Sequence, residues 1–375
     1  MLPPFLLQFL IEKKKRKKIR LRFRREHIIP KKFAALFYYA RTCSLLQRPV
    51  DDEAFERLFR FDKVIFSKIE ERFSPFYERL PLRSQDKNML FPWTNYGRPR
   101  RRLFSAREAL LMLLRHLASK PHSDDLSLLS GCLQTTESKT LAHALHCLLS
   151  VLKSWKAARM CLPKSDEFAH ALSERARCYV LRKRGVYLPG NIIGVIDGSI
   201  IQRERSGDEN WQHTNHNGKS NSAAAKILLI QLFDGTYGPA VLNYIGSAHD
   251  AKLASLLNIN SMLSHLHPTF MLISDSAFGT SSRVVCPMTE GEMRSLNSVQ
   301  LSEAATAASL LSLLRECSEW GIGGVENTFQ ILREALPADD LAFGWMVWET
   351  CLRLFNVRVR LMGKGQTFSV YAPMQ

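Results

Sequence analysis

Three acidic residues stand where a metal-dependent catalytic site would need them. Asp197 follows the apolar run Ile192–Ile196, and Asp275 follows a second run, Thr269–Ser274. Glu326 lies at the head of a later segment with helical character. Burying an unpaired carboxylate costs several kcal/mol, so two acids at the exits of apolar strands are predicted to share a partner. A divalent metal ion is the partner that fits best.

Asp, Asp and Glu on two strands and a helix form the set that two-metal phosphodiester chemistry requires. Mg²⁺ takes a few carboxylates together with water and substrate oxygens, and two such ions stabilise the attacking and the leaving oxygen. Spacing alone leaves structural roles open as well. Asp197 and Asp275 suit turns, and Glu326 suits a helix N-terminus after the glycine-rich run 321–324.

The positive charge of the chain is concentrated at one end. The 375 residues carry a net charge of +17, and residues 1–50 hold 14 Lys and Arg against Glu12 and Glu26, a net charge of +12. The core of this basic arm is Lys13, Lys14, Lys15, Arg16, Lys17 and Lys18. Such an arm indicates nuclear import or contact with DNA phosphates, and the alternative is a solvated tail. We predict that residues 1–50 are disordered.

The eight cysteines and the apolar segments indicate in which cellular compartment the protein resides. No two cysteines form a CxxC pair, so neither a zinc ribbon nor a disulfide framework is indicated, and a reducing compartment fits best. The apolar opening Met1–Ile11 is too short to span a bilayer, and its charges follow it, which is the wrong order for a secretory signal. We expect a soluble nuclear protein.

Residues 51–160 are predicted to form an all-α region. Periodicity favours a helix over 51–73, and a Ser105–Glu108 capping box favours one over 106–119. Further helices are predicted at 124–129 and at 137–152, the latter capped by Thr136. They follow Arg100, Arg101 and Arg102, which are candidate DNA contacts. A helix-turn-helix and a bundle that only packs on the rest of the protein both remain open.

The pattern changes to α/β after residue 160. A helix is predicted over 166–185 and a later one over 250–265, whereas the strands are predicted at 192–201, 224–233, 237–245 and 269–274, the second and third joined as a hairpin by Asp234-Gly235. This order predicts an α/β layered fold, a mixed sheet flanked by helices. We assign residues 161–365 to one catalytic domain and 366–375 to a C-terminal tail.

Several short blocks, in order, resemble those of the PIF/Harbinger transposases and of Harbinger-derived nucleases, over roughly residues 55–365. The blocks are Val195-Ile196-Asp197-Gly198-Ser199, Gly246-Ser247-Ala248-His249-Asp250, Leu272-Ile273-Ser274-Asp275-Ser276-Ala277-Phe278 with Cys286-Pro287-Met288 after it, Val325-Glu326-Asn327-Thr328-Phe329 reaching Arg333, and Leu354-Phe355-Asn356. None of the blocks is specific by itself, whereas their order and context are.

The resemblance implies an RNase H-like DDE nuclease domain that cuts and joins DNA. It implies Asp197, Asp275 and Glu326 as catalytic ligands of Mg²⁺ or Mn²⁺, with Asp250 and His249 as auxiliary candidates. It further implies DNA and a Myb-like accessory protein as partners, and a homo-oligomer is a further candidate.

The chain also departs from the family pattern around the second and third acids. Phe278, Ile322 and Gln330 stand where the family often has Tyr, Arg and Gly. The alternative function is therefore a domesticated, catalytically inactive descendant that binds DNA or another protein.

Overall fold

Four helices open the described part of the chain. The structure is a computed structural model that describes residues 51–80, 103–119, 134–204, 206–217, 222–337 and 340–372. The helices are α1 (Asp52–Phe59), α2 (Lys63–Arg79), α3 (Ala106–Ser119) and α4 (Gln134–Ser154). The basic arm, Arg100–Arg102 and the predicted helix 124–129 lie outside the described residues, so the helix-turn-helix hypothesis stays a prediction.

Local capping explains where these helices begin. Ser105 and Glu108 form the predicted capping box, because the Ser105 backbone N–H donates to the Glu108 carboxylate at 2.9 Å and the Glu108 N–H donates to Ser105 Oγ at 3.3 Å. The single helix predicted over 51–73 is wrong. Arg60 adopts a left-handed conformation with φ 69°, which ends α1, and the Asp62 side chain caps α2. Thr136 lies inside α4 rather than at its cap.

A mixed β-sheet forms the centre of the rest of the chain. Its strands are β1 (Asn191–Gln202), β2 (His216–Asn217), β3 (Ser222–Leu232), β4 (Tyr237–Ile245), β5 (Phe270–Ile273) and β6 (Val284–Val285). The order along the sheet is β2-β3-β1-β5-β6, and β4 pairs with β3. β1 pairs antiparallel with β3 and parallel with β5, and β3 and β4 form the predicted hairpin.

Helices cover both faces of this sheet, as the sequence predicted. They are α5 (Asp166–Arg184), α6 (Glu209–Asn215), α7 (Asp250–Leu257), α8 (Ile259–Met262), α9 (Glu290–Met293), α10 (Ser298–Thr328), α11 (Leu341–Met362) and α12 (Gln366–Val370). The predicted helix 250–265 is divided, because Asn258 is left-handed and separates α7 from α8. The predicted α/β architecture, preceded by an all-α region, is confirmed.

Alternation along β1 sends its side chains to two different cores. Ile196 packs with α5 and α7 on one face, whereas Val195 packs on the other face with α10. The first four helices join the second face further along the strand, in a core that also contains Ile201 and Val325. Asp197 therefore points toward the α10 face. Among the described residues, no helix is both long and apolar enough to cross a membrane.

A glycine in α10 permits close contact with the sheet. A Cβ on Gly321 would lie 1.7 Å from Oε1 of the buried Gln231, whose Nε2 donates to Thr367 Oγ1 at 2.9 Å. We expect Gly321→Ala to lower the free energy of unfolding by about 1–3 kcal/mol, although alanine favours helix more than glycine does. A double-mutant cycle with Gln231→Ala tests this by chemical denaturation. The two losses should sum to more than the loss in the double variant, and strict additivity would contradict the contact.

Candidate functional site

Asp197 and Asp275 lie at the same level of two adjacent strands. Val195 of β1 is paired with Ile273 of β5 in parallel register, and each acid comes two residues after its member of that pair. Asp275 follows the end of β5, as predicted. Asp197 does not stand at the exit of its strand but lies inside β1, whose bounds are close to those of the predicted strand 192–201. Pairing with β3, in which Asp197 is opposite Leu229, carries β1 on to Gln202.

Two hydrogen bonds hold the Asp197 carboxylate. Its Oδ1 accepts the Gly198 N–H at 2.9 Å, and its Oδ2 accepts the Ser318 hydroxyl of α10 at 2.7 Å. Ser318 Oγ also lies 2.8 Å from the Arg315 carbonyl oxygen one turn earlier in the same helix. The orientation of Asp197 is thus fixed by a helix that is distant in sequence.

Asp275 is held by the chain that follows it and by the same helix. Its Oδ1 accepts the Ala277 N–H at 2.8 Å and so caps the short 3₁₀-helix Ser276–Phe278. Its Oδ2 lies 3.8 Å from Nη2 of Arg315. The positive charge of Arg315 acts on Asp197 as well. One guanidinium therefore lies beside both acids.

Burial raises the pKa of Asp197 above its ordinary value. The Ser318 hydroxyl, the charge of Arg315 and the Gly198 N–H each lower this pKa, whereas the negative charge of Asp275 raises it further. Burial is the largest of these effects and decides the direction. Ionisation of Asp197 is consequently unfavourable in the metal-free protein. A bound cation would offset this unfavourable free energy.

This shift predicts a pH-dependent stability. Because the folded pKa lies above the unfolded value of about 3.9, the contribution of Asp197 is fully present below that value and is lost as pH rises through the folded pKa. We expect Asp197→Asn, which does not titrate, to gain melting temperature relative to the wild type over this window. Thermal melts in EDTA from about pH 4 to about pH 8 measure the difference. A constant difference across this range would contradict the raised pKa.

Glu326 lies elsewhere on the same helix. The run Gly321-Ile322-Gly323-Gly324 does not break the chain but continues α10, so Glu326 stands near the C-terminal end of a 31-residue helix. The prediction that Glu326 heads a helix is wrong. Ser318, which contacts Asp197, is eight positions earlier, about 12 Å along the helix axis.

The surroundings of Glu326 differ from those of the two aspartates. Burial raises the pKa of Glu326, and the charge of Arg333 lowers it. The Arg333 guanidinium also donates to Asn327 Oδ1. The negative charge of Glu326 in turn contributes to the raised pKa of Tyr237, at the start of β4. Glu326 and Asp197 thus have different basic neighbours, Arg333 beside Glu326 and Arg315 beside Asp197.

Two of the three predicted acidic ligands lie close enough for the charge of Asp275 to act on Asp197. Among the described residues, no three His, Cys, Asp or Glu are grouped so that they could share a metal ion. Asp197 and Asp275 by themselves are a sufficient protein contribution for Mg²⁺, which is held by one or two carboxylates with water and phosphate oxygens. The structure therefore brings together two of the three predicted ligands and does not group Glu326 with them among the described residues.

The auxiliary candidates lie at the start of α7. His249 is the exposed N-cap of α7, and its side chain makes no capping hydrogen bond. Asp250 is the first residue of α7 rather than its N-cap, and its side chain lies outside the described part of the structure. α7 packs against the 3₁₀-helix that Asp275 caps. The predicted DNA-binding residues Lys13–Lys18 and Arg100–Arg102 lie outside the described ranges.

No sequence motif singles out Arg315 and Ser318 as candidate site residues. They stand three positions apart on one helical face, which was the only available signal, and many surface positions share it. Asn356 was noted only as part of a late block. It is buried, and its amide accepts the Tyr237 N–H at 2.7 Å and donates to the Tyr237 carbonyl at 2.9 Å. Asn356 therefore fixes the start of β4 and has a structural role.

Comparison with known proteins gives one match. Residues 196–356 match the family model described as DDE superfamily endonuclease, which spans less than half of the chain and begins one residue before Asp197. The matched range contains Asp197, Asp275, Glu326 and Asn356. Such a match indicates a nuclease of the transposase type that acts on phosphodiester bonds. No curated protein and no solved structure matches the chain.

Proposed function

We propose that this chain is a metal-dependent DNA endonuclease of the DDE transposase type, most similar to the PIF/Harbinger group. The observation that carries the proposal is the pair Asp197 and Asp275 at one level of adjacent parallel strands, inside the range that matches the endonuclease family. Opposed carboxylates of this kind are costly unless a cation lies between them.

Asp197 and Asp275 would hold Mg²⁺ or Mn²⁺, with Glu326 as the proposed third acid. An ion bound there supplies Lewis-acid polarisation of a phosphodiester and a lowered pKa for a water molecule. Ser318 and the Gly198 N–H fix the rotamer of Asp197, so the carboxylate is oriented before DNA arrives.

The further elements of the proposal concern partners and location. The basic arm and Arg100–Arg102 would contact DNA phosphates and direct the protein to the nucleus. End recognition would come from a separate Myb-like protein, and a second copy of the chain would hold the other DNA end. These elements derive from the resemblance and from charge.

A catalytically inactive, DNA- or protein-binding descendant is the second candidate. Two observations favour it: Glu326 forms no three-ligand group with the aspartates among the described residues, and Arg315 lies beside both aspartates. In that case the guanidinium would replace the metal ion as the permanent counter-charge of the pair.

Nicking of supercoiled plasmid DNA distinguishes the two candidates. We expect the purified full-length protein to convert supercoiled to open-circular DNA with Mg²⁺ or Mn²⁺ and not with EDTA. Asp197→Ala and Asp275→Ala should each abolish the conversion. Equal nicking by the wild type and both variants would identify a contaminant, and no nicking with either ion would favour the inactive descendant.

Removal of Arg315 predicts a gain in metal affinity. Because its guanidinium lies 3.8 Å from Asp275 and its charge acts on Asp197, it competes with any bound cation. We expect Arg315→Met to tighten Mn²⁺ binding about tenfold, measured by the loss of the free-ion signal in electron paramagnetic resonance. Arg294→Met removes the same charge from the exposed end of α9 and should change the affinity less than about twofold. Equal effects of the two substitutions would show that Arg315 does not compete.

A further inference from the structure

Four cations and one carboxylate lie where α1, α3 and α11 meet. We call this set the Arg60 cluster, and its members are Arg60, Arg115, Arg358, Lys364 and Glu56. Arg60 ends α1, Arg115 belongs to α3, Arg358 belongs to α11, and Lys364 follows that helix. The cluster thus carries a surplus of three positive charges, and the described catalytic pair takes no part in it.

Glu56 is already engaged by two of the four cations. Lys364 Nζ lies 2.6 Å and 2.7 Å from its two oxygens, and Arg358 Nη2 lies 3.4 Å from Oε1. Arg358 also donates through Nη1 to the Arg60 carbonyl oxygen. The carboxylate is therefore neutralised on one side of the cluster, and Arg60 and Arg115 are left on the other side.

Arg60 and Arg115 have donors that the described residues do not use. Arg60 Nη2 donates to the Ala118 carbonyl at 3.3 Å, but the Nε atoms of both residues are buried and have no acceptor among the described residues. The Arg115 side chain makes no hydrogen bond or ion pair within this part of the chain. The carbonyls at the end of α3 supply only a partial negative charge.

The two guanidinium groups also repel each other. Burial lowers the pKa of both residues, and the charge of Arg115 lowers the pKa of Arg60 further. The charge of Arg60 likewise lowers the pKa of Arg358. Two like charges that lie close together and have unused donors are unfavourable in the protein without a ligand. An anion bound between the two guanidinium groups would make their arrangement favourable.

We infer that the Arg60 cluster binds a phosphate group through Arg60 and Arg115. A guanidinium presents a planar fork of donors that matches the oxygens of phosphate, and two forks on different helices would grip one group from two sides. The phosphate could belong to a nucleic-acid backbone or to a free phosphate compound. The inference does not rest on the proposed nuclease activity, because it needs neither a metal ion nor cleavage.

Two binding measurements on the full-length protein in EDTA test the inference. The first is the melting temperature with inorganic phosphate against chloride at equal ionic strength, and the second is the anisotropy of a labelled DNA duplex. The variant is Arg115→Gln, which removes a side chain without a described partner. The control is Arg107→Gln, which removes the same charge from the same helix but is exposed and paired with Glu70 at 2.6 Å.

We expect phosphate to stabilise the wild type and the control but not Arg115→Gln, since a lost charge-assisted contact weakens binding about tenfold. If the phosphate comes from nucleic acid, duplex affinity should also fall about tenfold in Arg115→Gln alone. If it comes from a free compound, duplex affinity should be the same in both variants. Equal phosphate stabilisation of all three proteins, or an equal loss in both variants, would overturn the inference.

Discussion

Replacement of Asp197 by asparagine is expected to lower metal-dependent DNA nicking by about a thousandfold or more while raising the melting temperature of the metal-free protein. The loss follows because asparagine brings no negative charge to a divalent ion. The gain follows because burial raises the pKa of Asp197, so the ionised carboxylate is unfavourable where it stands. Asparagine keeps an oxygen for the Gly198 N–H and can donate to Ser318 Oγ, so the local hydrogen bonds survive.

A matched substitution separates this effect from general damage. Asp208 caps α6 by accepting the Asn210 and Trp211 N–H groups, and asparagine caps helices as well as aspartate does. Asp208→Asn should leave both nicking and melting temperature unchanged. If Asp197→Asn retained activity, or if it lost activity only together with its fold, the catalytic assignment of Asp197 would be wrong.

Gly194→Ala is expected to destabilise the protein by about 3 kcal/mol or more. A Cβ at Gly194 would lie 2.4 Å from the Gln231 carbonyl oxygen and 3.2 Å from Leu232 Cα. These are backbone atoms of β3, so relief requires the two central strands to separate. The strand displaced is the one that carries Asp197 three residues later. Chemical denaturation of the metal-free protein measures the free energy of unfolding.

Gly207→Ala is the control for this substitution. A Cβ at Gly207 meets nothing within 4 Å, so the expected change is below about 0.5 kcal/mol. A loss at Gly194 as small as the loss at Gly207 would mean that β1 and β3 do not approach as closely as described.

Local signals predicted the elements whose chemistry is local. The capping box of Ser105 and Glu108 gave the start of α3, because both hydrogen bonds lie within four residues. The Asp234-Gly235 turn gave the β3–β4 hairpin, since Gly235 adopts φ 82° and the Asp234 carboxylate accepts the Thr236 N–H at 2.9 Å. The strand predicted over 237–245 likewise has the bounds of β4.

Tertiary contacts decided the features that the sequence pattern predicted wrongly. Glycine is unfavourable in a helix, so the sequence pattern predicts that a new helix begins after the run 321–324 and before Glu326. In the structure Gly321 lies inside α10, and the buried Gln231 side chain occupies the space that a Cβ at position 321 would need. The placement of Asp197 at the exit of its strand was wrong for a related reason. Pairing with β3 continues the strand beyond Gly198, and that pairing is invisible in the local pattern.

The candidate site shows the same division between local and distant information. The sequence alone predicts that Asp197 and Asp275 lie side by side, because each of them follows an apolar strand segment. The contacts of Arg315 and Ser318 with these acids depend on how α10 crosses the sheet. No motif in residues 315–318 carries that information, because the crossing is set by packing among the side chains of β1, β3 and α10.

Titration of the metal-free protein with Mn²⁺ tests the central claim most directly, namely that Asp197 and Asp275 together form a divalent-metal site. Electron paramagnetic resonance reports the free ion, so binding is measured without reference to catalysis. We predict that Asp197→Asn and Asp275→Asn each weaken Mn²⁺ binding about tenfold or more relative to the wild type, whereas Asp208→Asn leaves it unchanged. Unchanged Mn²⁺ affinity in both Asp197→Asn and Asp275→Asn would contradict the assignment of this pair as the metal site.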